Sequence, residues 1–273
     1  MIGVLDSGSG GVTILTALQE HLPNQDFLYL GDHANAPYGH RSNEQIVAFT
    51  QEGVNTLMRA GCSLVVLACN TAAAVALQYL QQNWLPEAFP NNRILGVLVP
   101  TVEALTGVPW SQQQPTAEPQ SAKKITLFAT RKTVESQAYL DEVHKRAPHV
   151  MLTGHACPGL VDAIEGGAGP KPLAGLISGY VAEADTRGVD AVVLGCTHFP
   201  LVKQYFQDAL PENTPIFSQP EIVAASLASY LNRHPQHSKH GSGKAALLTT
   251  GKAEDVLAAG LHLPGDLPAF KQA

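Results

Sequence analysis

Two apolar runs in this chain end in the same way, on a cysteine followed by hydrogen-bonding residues: Leu64–Thr71 (LVVLACNT) and Ala191–His198 (AVVLGCTH). Each is a short β-branched run with a small residue before the thiol, and a helical pattern follows, so both read as strand, turn, helix. Cys69 and Cys196 then sit between a strand end and a helix's first turn, where backbone N–H groups and the helix dipole favour the thiolate relative to an unperturbed pKa of about 8.5. Two thiols facing one substrate have a definite chemistry. A thiolate on one side of an acidic carbon removes its proton, a thiol on the other side delivers one, and the product is the mirror image. Such a two-base racemisation needs no cofactor if the intermediate carbanion is stabilised. The hydroxyls and amides beside each thiol would donate to a substrate carboxylate, and Asp6 and His198 would move protons to and from their neighbouring thiols. The other two cysteines, Cys62 and Cys157, read as small buried hydrophobes.

Composition removes several other classes. A net charge of −6 and no Lys/Arg run beyond Lys123-Lys124 leave no footprint for a phosphate backbone, so no nucleic-acid partner is expected. The apolar runs fall far short of the roughly 20 residues of a membrane span. The start, Met1–Asp6, lacks the basic and long apolar segments of a signal peptide, which predicts a cytoplasmic protein. In that reducing compartment four cysteines without short regular spacing argue against a disulfide framework and leave metal or catalytic thiols. Zinc normally wants a third or fourth ligand from a short Cys or His pair, and none accompanies Cys69, Cys196 and His198, so no metal is expected. His234, His237 and His240 lie in a polar Ser/Gly loop and read as solvated.

Strand and helix patterns alternate from end to end. Ile2–Leu5 breaks at the Gly-rich turn Asp6–Gly11 (DSGSGG), and Val12, Leu15, Leu18 and Leu22 follow at helical spacing. The turn's glycines do not fit G-x-G-x-x-G in register and have no Lys-Ser/Thr partner, so it reads as a tight connection rather than a phosphate cradle. Phe27–Leu30 is the next strand, closed by Gly31-Asp32, and Ser42–Gln45 is a capping box before a helix ending near Gly61. One helix is predicted from Ala72 to about Pro86, a strand at Ile94–Val99, and a Gln/Pro/Ser-rich loop from Pro109 to Gln120. A second series runs through a strand at Ile125–Ala129 ending on Thr130, a helix over Val134–Arg146, a strand near Val150–Leu152, helices at Leu160–Ile164 and Leu173–Thr186, and the second cysteine strand. Later come a helix at Leu201–Leu210, strands at Pro215–Phe217 and Ala246–Thr250, and a helix from Glu221 to Leu231. The alternation predicts an α/β protein with parallel sheets covered by helices on both faces. Ligands bind such sheets at the strand carboxyl ends. Asp6-Ser7, Asp32, Cys69-Asn70-Thr71, Thr130 and Cys196-Thr197-His198 all fall there, and so would face one cleft.

Taken in order, Asp6–Gly11, Gly31-Asp32 with Pro37-Tyr38-Gly39, Ala68–Thr71, Ala156–Pro158, Gly195–His198 and Thr249–Gly251 resemble bacterial glutamate racemases over nearly the whole chain. The resemblance implies two similar doubly wound domains, residues 1–98 with 211–273 and residues 99–210, with the active site between them. It implies a cofactor-independent interconversion of L- and D-glutamate that supplies D-glutamate for peptidoglycan, and a homodimer as the assembly. By the same resemblance Cys69 acts on the D-enantiomer and Cys196 on the L-enantiomer, with Asp6 and His198 as helpers. Ser7, Pro37, Tyr38, Gly39, Asn70, Thr71, Thr130, Thr133 and Thr197 would bind substrate, with Asp32 and Glu165 as further site residues. Ala36 stands where many relatives have Cys, and Ser9 replaces a common Val. His198 favours glutamate over aspartate, since aspartate racemases resemble this motif but usually carry Glu there. The alternatives are an aspartate racemase and, in a different class, a non-catalytic thiol redox or binding protein.

Overall fold

Strand and helix alternate as expected in the computed structural model, which describes residues 1–111, 123–238, 241–258 and 267–273. The strands are β1 (Ile2–Asp6), β2 (Phe27–Gly31), β3 (Leu64–Leu67), β4 (Arg93–Gly96), β5 (Lys124–Ala129), β6 (Met151–Ala156), β7 (Ala191–Gly195), β8 (Ile216–Ser218), β9 (Ala245–Thr249) and β10 (Lys271–Gln272). They form two sheets, ordered β10-β9-β2-β1-β3-β4 and β6-β5-β7-β8. Every pairing in both is parallel. β1, β2, β3 and β7 are buried at every residue, the condition of a parallel strand covered on both faces, and it explains why their sequences are continuous apolar runs. The predicted loop over 109–120 lies mostly outside the described residues, as does His240.

Register brings the functional ends level. In the first sheet Asp6 pairs with Gly31 and Gly31 with Thr249, while Leu5 pairs with Leu67, two residues before Cys69. In the second, Ala129 is level with both Ala156 and Gly195, so Thr130, Cys157 and Cys196 leave the sheet side by side. The strand at the head of the tail pairs with β7, so Ile216–Ser218 belongs to the second sheet. The chain comes back to the first sheet only with the helix Gln219–Arg233, which lies along Val12–His21.

Two local features differ from the sequence pattern for identifiable reasons. The helix predicted from Ala72 to Pro86 is broken into Asn70–Val75, Leu77–Tyr79, a π-turn at Leu80–Trp84 and Leu85–Ala88. Pro86 has no N–H for the carbonyl of Gln82, and its ring crowds that carbonyl, so the preceding turn widens. His237 is buried, bonds Ser63 Oγ at 3.4 Å and stacks near Tyr230, so it is packed rather than solvated. The capping box at Ser42 and Gln45 is present, and Gly61 follows the helix with φ +96°, where a side chain would be strained.

A buried polar network joins the elements around the two sheets. Asn70 Oδ1 accepts from Tyr139 Oη at 2.7 Å and from Gln219 Nε2 at 3.0 Å, and Asn70 Nδ2 donates to Gln219 Oε1 at 2.6 Å. Gln219 Nε2 also reaches Thr101 Oγ1 at 3.0 Å. Such groups cost far more unpaired than they contribute paired. Tyr139→Phe should therefore lower the unfolding free energy in urea by about 1–3 kcal/mol, whereas an unchanged midpoint would show that the network carries no stability.

Candidate active site

The strand carboxyl ends enclose a cleft of about 390 Å³. Both cysteines line it, with Ser7, Pro37, Tyr38, Gly39, Asn70, Thr71, Thr130, Thr197 and His198, all expected from sequence. Four further predicted residues stand behind this lining. Asp6 is fully buried under it, accepting from the Gly8 N–H at 2.9 Å and from Thr197 Oγ1 at 3.1 Å. Thr133 joins a hydroxyl triangle with Thr71 and Thr130, at 3.3 and 3.0 Å, that ties the two sheets' helices across the cleft floor. Asp32 fixes Tyr38, whose hydroxyl donates to Oδ2 at 2.7 Å. Glu165 sits on the far side of His198.

The two thiols have different surroundings. Cys69 precedes the helix Asn70–Val75, and its sulfur bonds Ser7 Oγ at 3.4 Å. Burial raises its pKa first, the neighbouring Asp6 charge adds to that, and the bonds from Ser7 and the Ala72 N–H only partly offset them, leaving the thiol at about 12. The helix N-terminus thus does not make Cys69 a thiolate at rest, contrary to the reading from position alone. Cys196 instead faces an imidazole: His198 Nδ1 lies 3.9 Å from its sulfur, and His198 Nε2 lies 2.7 Å from Glu165 Oε1. A carboxylate only accepts, so Nε2 carries a proton and Nδ1 addresses the sulfur. Burial alone would discharge His198, but its bonds to Cys196 and Glu165 outweigh burial and push its pKa up to about 10. Glu165 is correspondingly held below its usual value: burial opposes this, and the His198 bond and charge overcome it. For Asp6 burial wins over the nearby His198 charge and its hydrogen bonds, so its carboxyl titrates above the ordinary value.

The Gly-rich turn now has a reason. A Cβ on Gly10 would collide with the His198 ring and with Thr197, and one on Gly8 would stand 2.9 Å from Glu165 Oε1. These glycines admit His198, Thr197 and Glu165 from the second sheet's side. Thr13 strengthens the same seam, donating to Thr197 O at 3.0 Å.

Asn70 reaches the cleft, and its side chain also bonds Gln219 and Tyr139 behind it, which fixes its orientation. Cys157, read from sequence as a plain core residue, is buried yet lines the cleft. Sequence reasoning also missed His40, Arg131 and Asp162 at the cleft; His40 Nε2 and Asp162 Oδ2 approach to 3.7 Å. They stand outside the motifs, and only the fold brings them together. Among the described residues no three His, Cys, Asp or Glu side chains form a group that could hold a metal ion. Among them, too, no helix is long and apolar enough to cross a membrane.

Two parallel α/β sheets with a thiol at the cleft end of each define an amino-acid racemase fold, and residues 95–227 match the Asp/Glu/Hydantoin racemase family. Glutamate racemase from Phenylobacterium zucineum is 45% identical over 263 residues, covering 92% of either chain. The crystal structure of a glutamate racemase isoform from Bacillus anthracis superposes with a TM-score of 0.86 at 28% identity, covering 100% of this chain and 97% of that one. A Thermus thermophilus glutamate racemase structure gives 0.81 at 31% identity, covering 100% and 96%. The chain belongs to the glutamate racemase family.

Glu165→Gln removes the second of the two partners, after Cys196, that keep the proton on His198. The imidazole should then titrate below about 10 in an NMR pH series. Because the folded pKa lies above the unfolded value of 6.5, the stability His198 contributes is full below pH 6.5 and is lost as pH rises through about 10. In the Gln variant, with a lower folded pKa, that loss should be complete at lower pH. An unmoved titration would show that Glu165 does not set the charge of His198.

Proposed function

We propose that this protein interconverts L- and D-glutamate by a two-base, cofactor-independent mechanism and so supplies D-glutamate for peptidoglycan. The observation that carries the reading is the unlike setting of two thiols on one cleft: one raised to about 12 by burial, the other backed by His198 and Glu165.

In the L to D direction the Cys196 sulfur, as thiolate beside the His198 imidazolium, takes the Cα proton. The Cα–H bond breaks, an S–H bond forms, and the electron pair is left on the substrate as a carbanion. Cys69, a thiol, then donates its proton to the opposite face, forming the new Cα–H bond and leaving a Cys69 thiolate. Asp6, with its raised pKa beside Cys69, and His198 return the two thiols to their starting states. In the D to L direction the roles exchange. Backbone N–H groups at the start of the helix Asn70–Val75, with the hydroxyls of Ser7, Thr71 and Thr197, are suited to a substrate carboxylate and to negative charge spreading onto it. Residues 1–98 with 211–273 would act as one body and 99–210 as the other, apart from β8, which pairs in the second sheet.

Glutamate rather than aspartate follows from the relatives' activity and from His198 after Cys196-Thr197. With L-Glu, D-Glu, L-Asp and D-Asp offered separately, without pyridoxal phosphate, only the glutamate enantiomers should be racemised. Turnover of aspartate alone would overturn the substrate assignment. Cys69→Ala and Cys196→Ala should each lose about 10²–10⁴-fold in kcat, and dialysis against a chelator should leave the wild type unaffected. Wild-type turnover by either single variant would remove the two-base reading, and no turnover of any amino acid by the wild type would favour a thiol-binding protein.

A further inference from the structure

Glu165 leans on the Gly-rich turn from the opposite side of the seam. Besides His198, it takes a hydrogen bond from the Ser9 backbone N–H, and Gly8 gives it room. The Ser9 carbonyl accepts from the Val12 N–H at 3.1 Å, and the Ser9 side chain is held by His33. The Ser9 hydroxyl lies 2.9 Å from His33 Nε2, and His33 Nδ1 lies 3.1 Å from Gly31 O and 2.9 Å from Thr249 Oγ1. A backbone carbonyl only accepts, so Nδ1 carries the proton and Nε2 accepts from the Ser9 hydroxyl.

The imidazole is itself clamped. Phe270 meets it edge-on at 5.3 Å between ring centroids, Gly31 leaves no space beside it, and Thr249 is fixed by the Gly251 N–H at 3.0 Å. Glu165, Asp6 and Asp32 all bear on its charge, yet burial comes first and keeps it below the ordinary histidine value, which suits a neutral hydrogen-bonding role. Gly8 has separate anchors, its N–H on Asp6 at 2.9 Å and the Tyr29 hydroxyl on its carbonyl at 2.7 Å. Ser9 is therefore the part of the turn that depends on His33, and it is the part that touches Glu165.

We propose that His33, acting through Ser9, is a positioning residue for the Cys196 arm alone: it holds the turn against which Glu165 aims His198 at the sulfur. The proposal rests on the racemase reading and on Cys196 serving the L-enantiomer. Its consequence is directional. The equilibrium constant of a racemisation is one, so weakening one arm does not change the ratio of kcat/KM between directions, but it does change which proton transfer limits the rate.

The test uses α-deuterated L- and D-glutamate with the full-length protein, comparing wild type, His33→Ala, Ser9→Ala, the double variant and His33→Gln. Loss of aim should lower kcat by about tenfold or more. The isotope effect should rise with L-glutamate and fall with D-glutamate, because removal of the L-substrate's proton becomes the slow step. Ser9→Ala should add little to His33→Ala, since both break one bond, and His33→Gln, which keeps an acceptor for Ser9, should recover most of the rate. Isotope effects that stay at wild-type values in both directions, or losses that simply add, would overturn the proposal. Should His33→Ala not fold, Ser9→Ala gives the same reading from the other end of the bond. A wild type without glutamate turnover would remove the racemase reading instead, before any variant is compared.

Discussion

The site depends on one buried hydrogen bond, Glu165 to His198. Burial alone would leave the imidazole neutral; the bond to Cys196 works against that first, and the Glu165 bond adds to it. With it, the proton on the imidazole has a fixed place and the sulfur has a cation beside it. The surrounding architecture serves that bond. Cys196 follows the end of β7, hydrogen bonds from Thr197 to Asp6 and from Thr13 to Thr197 O join that end to β1 and the helix after it, and glycines at positions 8 and 10 leave space for Glu165 and His198 to meet there.

Cys69 is built on the opposite principle. It has no imidazole, and its partners are a serine hydroxyl, a helix-start N–H and a nearby carboxylate that discourages ionisation. On the proposed two-base mechanism the pair needs this difference, since the reaction would stall if both were thiolates or both thiols when substrate arrives. The hydroxyl triangle of Thr71, Thr130 and Thr133 and the Asn70–Gln219–Tyr139 network then hold the two halves of the cleft at a fixed separation, which matters because a misplacement of about 1 Å costs orders of magnitude in rate.

Much of this was legible in the residues themselves. The runs before Cys69 and Cys196 are buried on both faces, so their composition announced central parallel strands, and their abrupt ends located the cleft. What the chain order did not show was which side chains are already engaged. Asn70 looked like a ligand donor, and the chain order did not show that its amide is also held by residues 69 and 149 positions away. Glu165 was expected at the site only from the resemblance, and the contact that engages it lies 33 residues along the chain. Helix-start geometry predicted an acidic thiol at Cys69, but burial, which no local pattern reports, outweighs the hydrogen bonds from Ser7 and the Ala72 N–H. Ser9 stood out only as a departure from its relatives, and its partner His33 belongs to a different strand end.

The claim that joins these features is that two bases act on opposite faces of one carbon. It is tested most directly by running the reaction from each enantiomer in deuterium oxide and following deuterium at Cα of substrate and product at early times. Two opposed thiols predict deuterium in the newly formed enantiomer while the unreacted substrate stays protiated. Deuterium appearing in the recovered substrate as fast as product forms would contradict the account, because a single base serving both faces would have returned it.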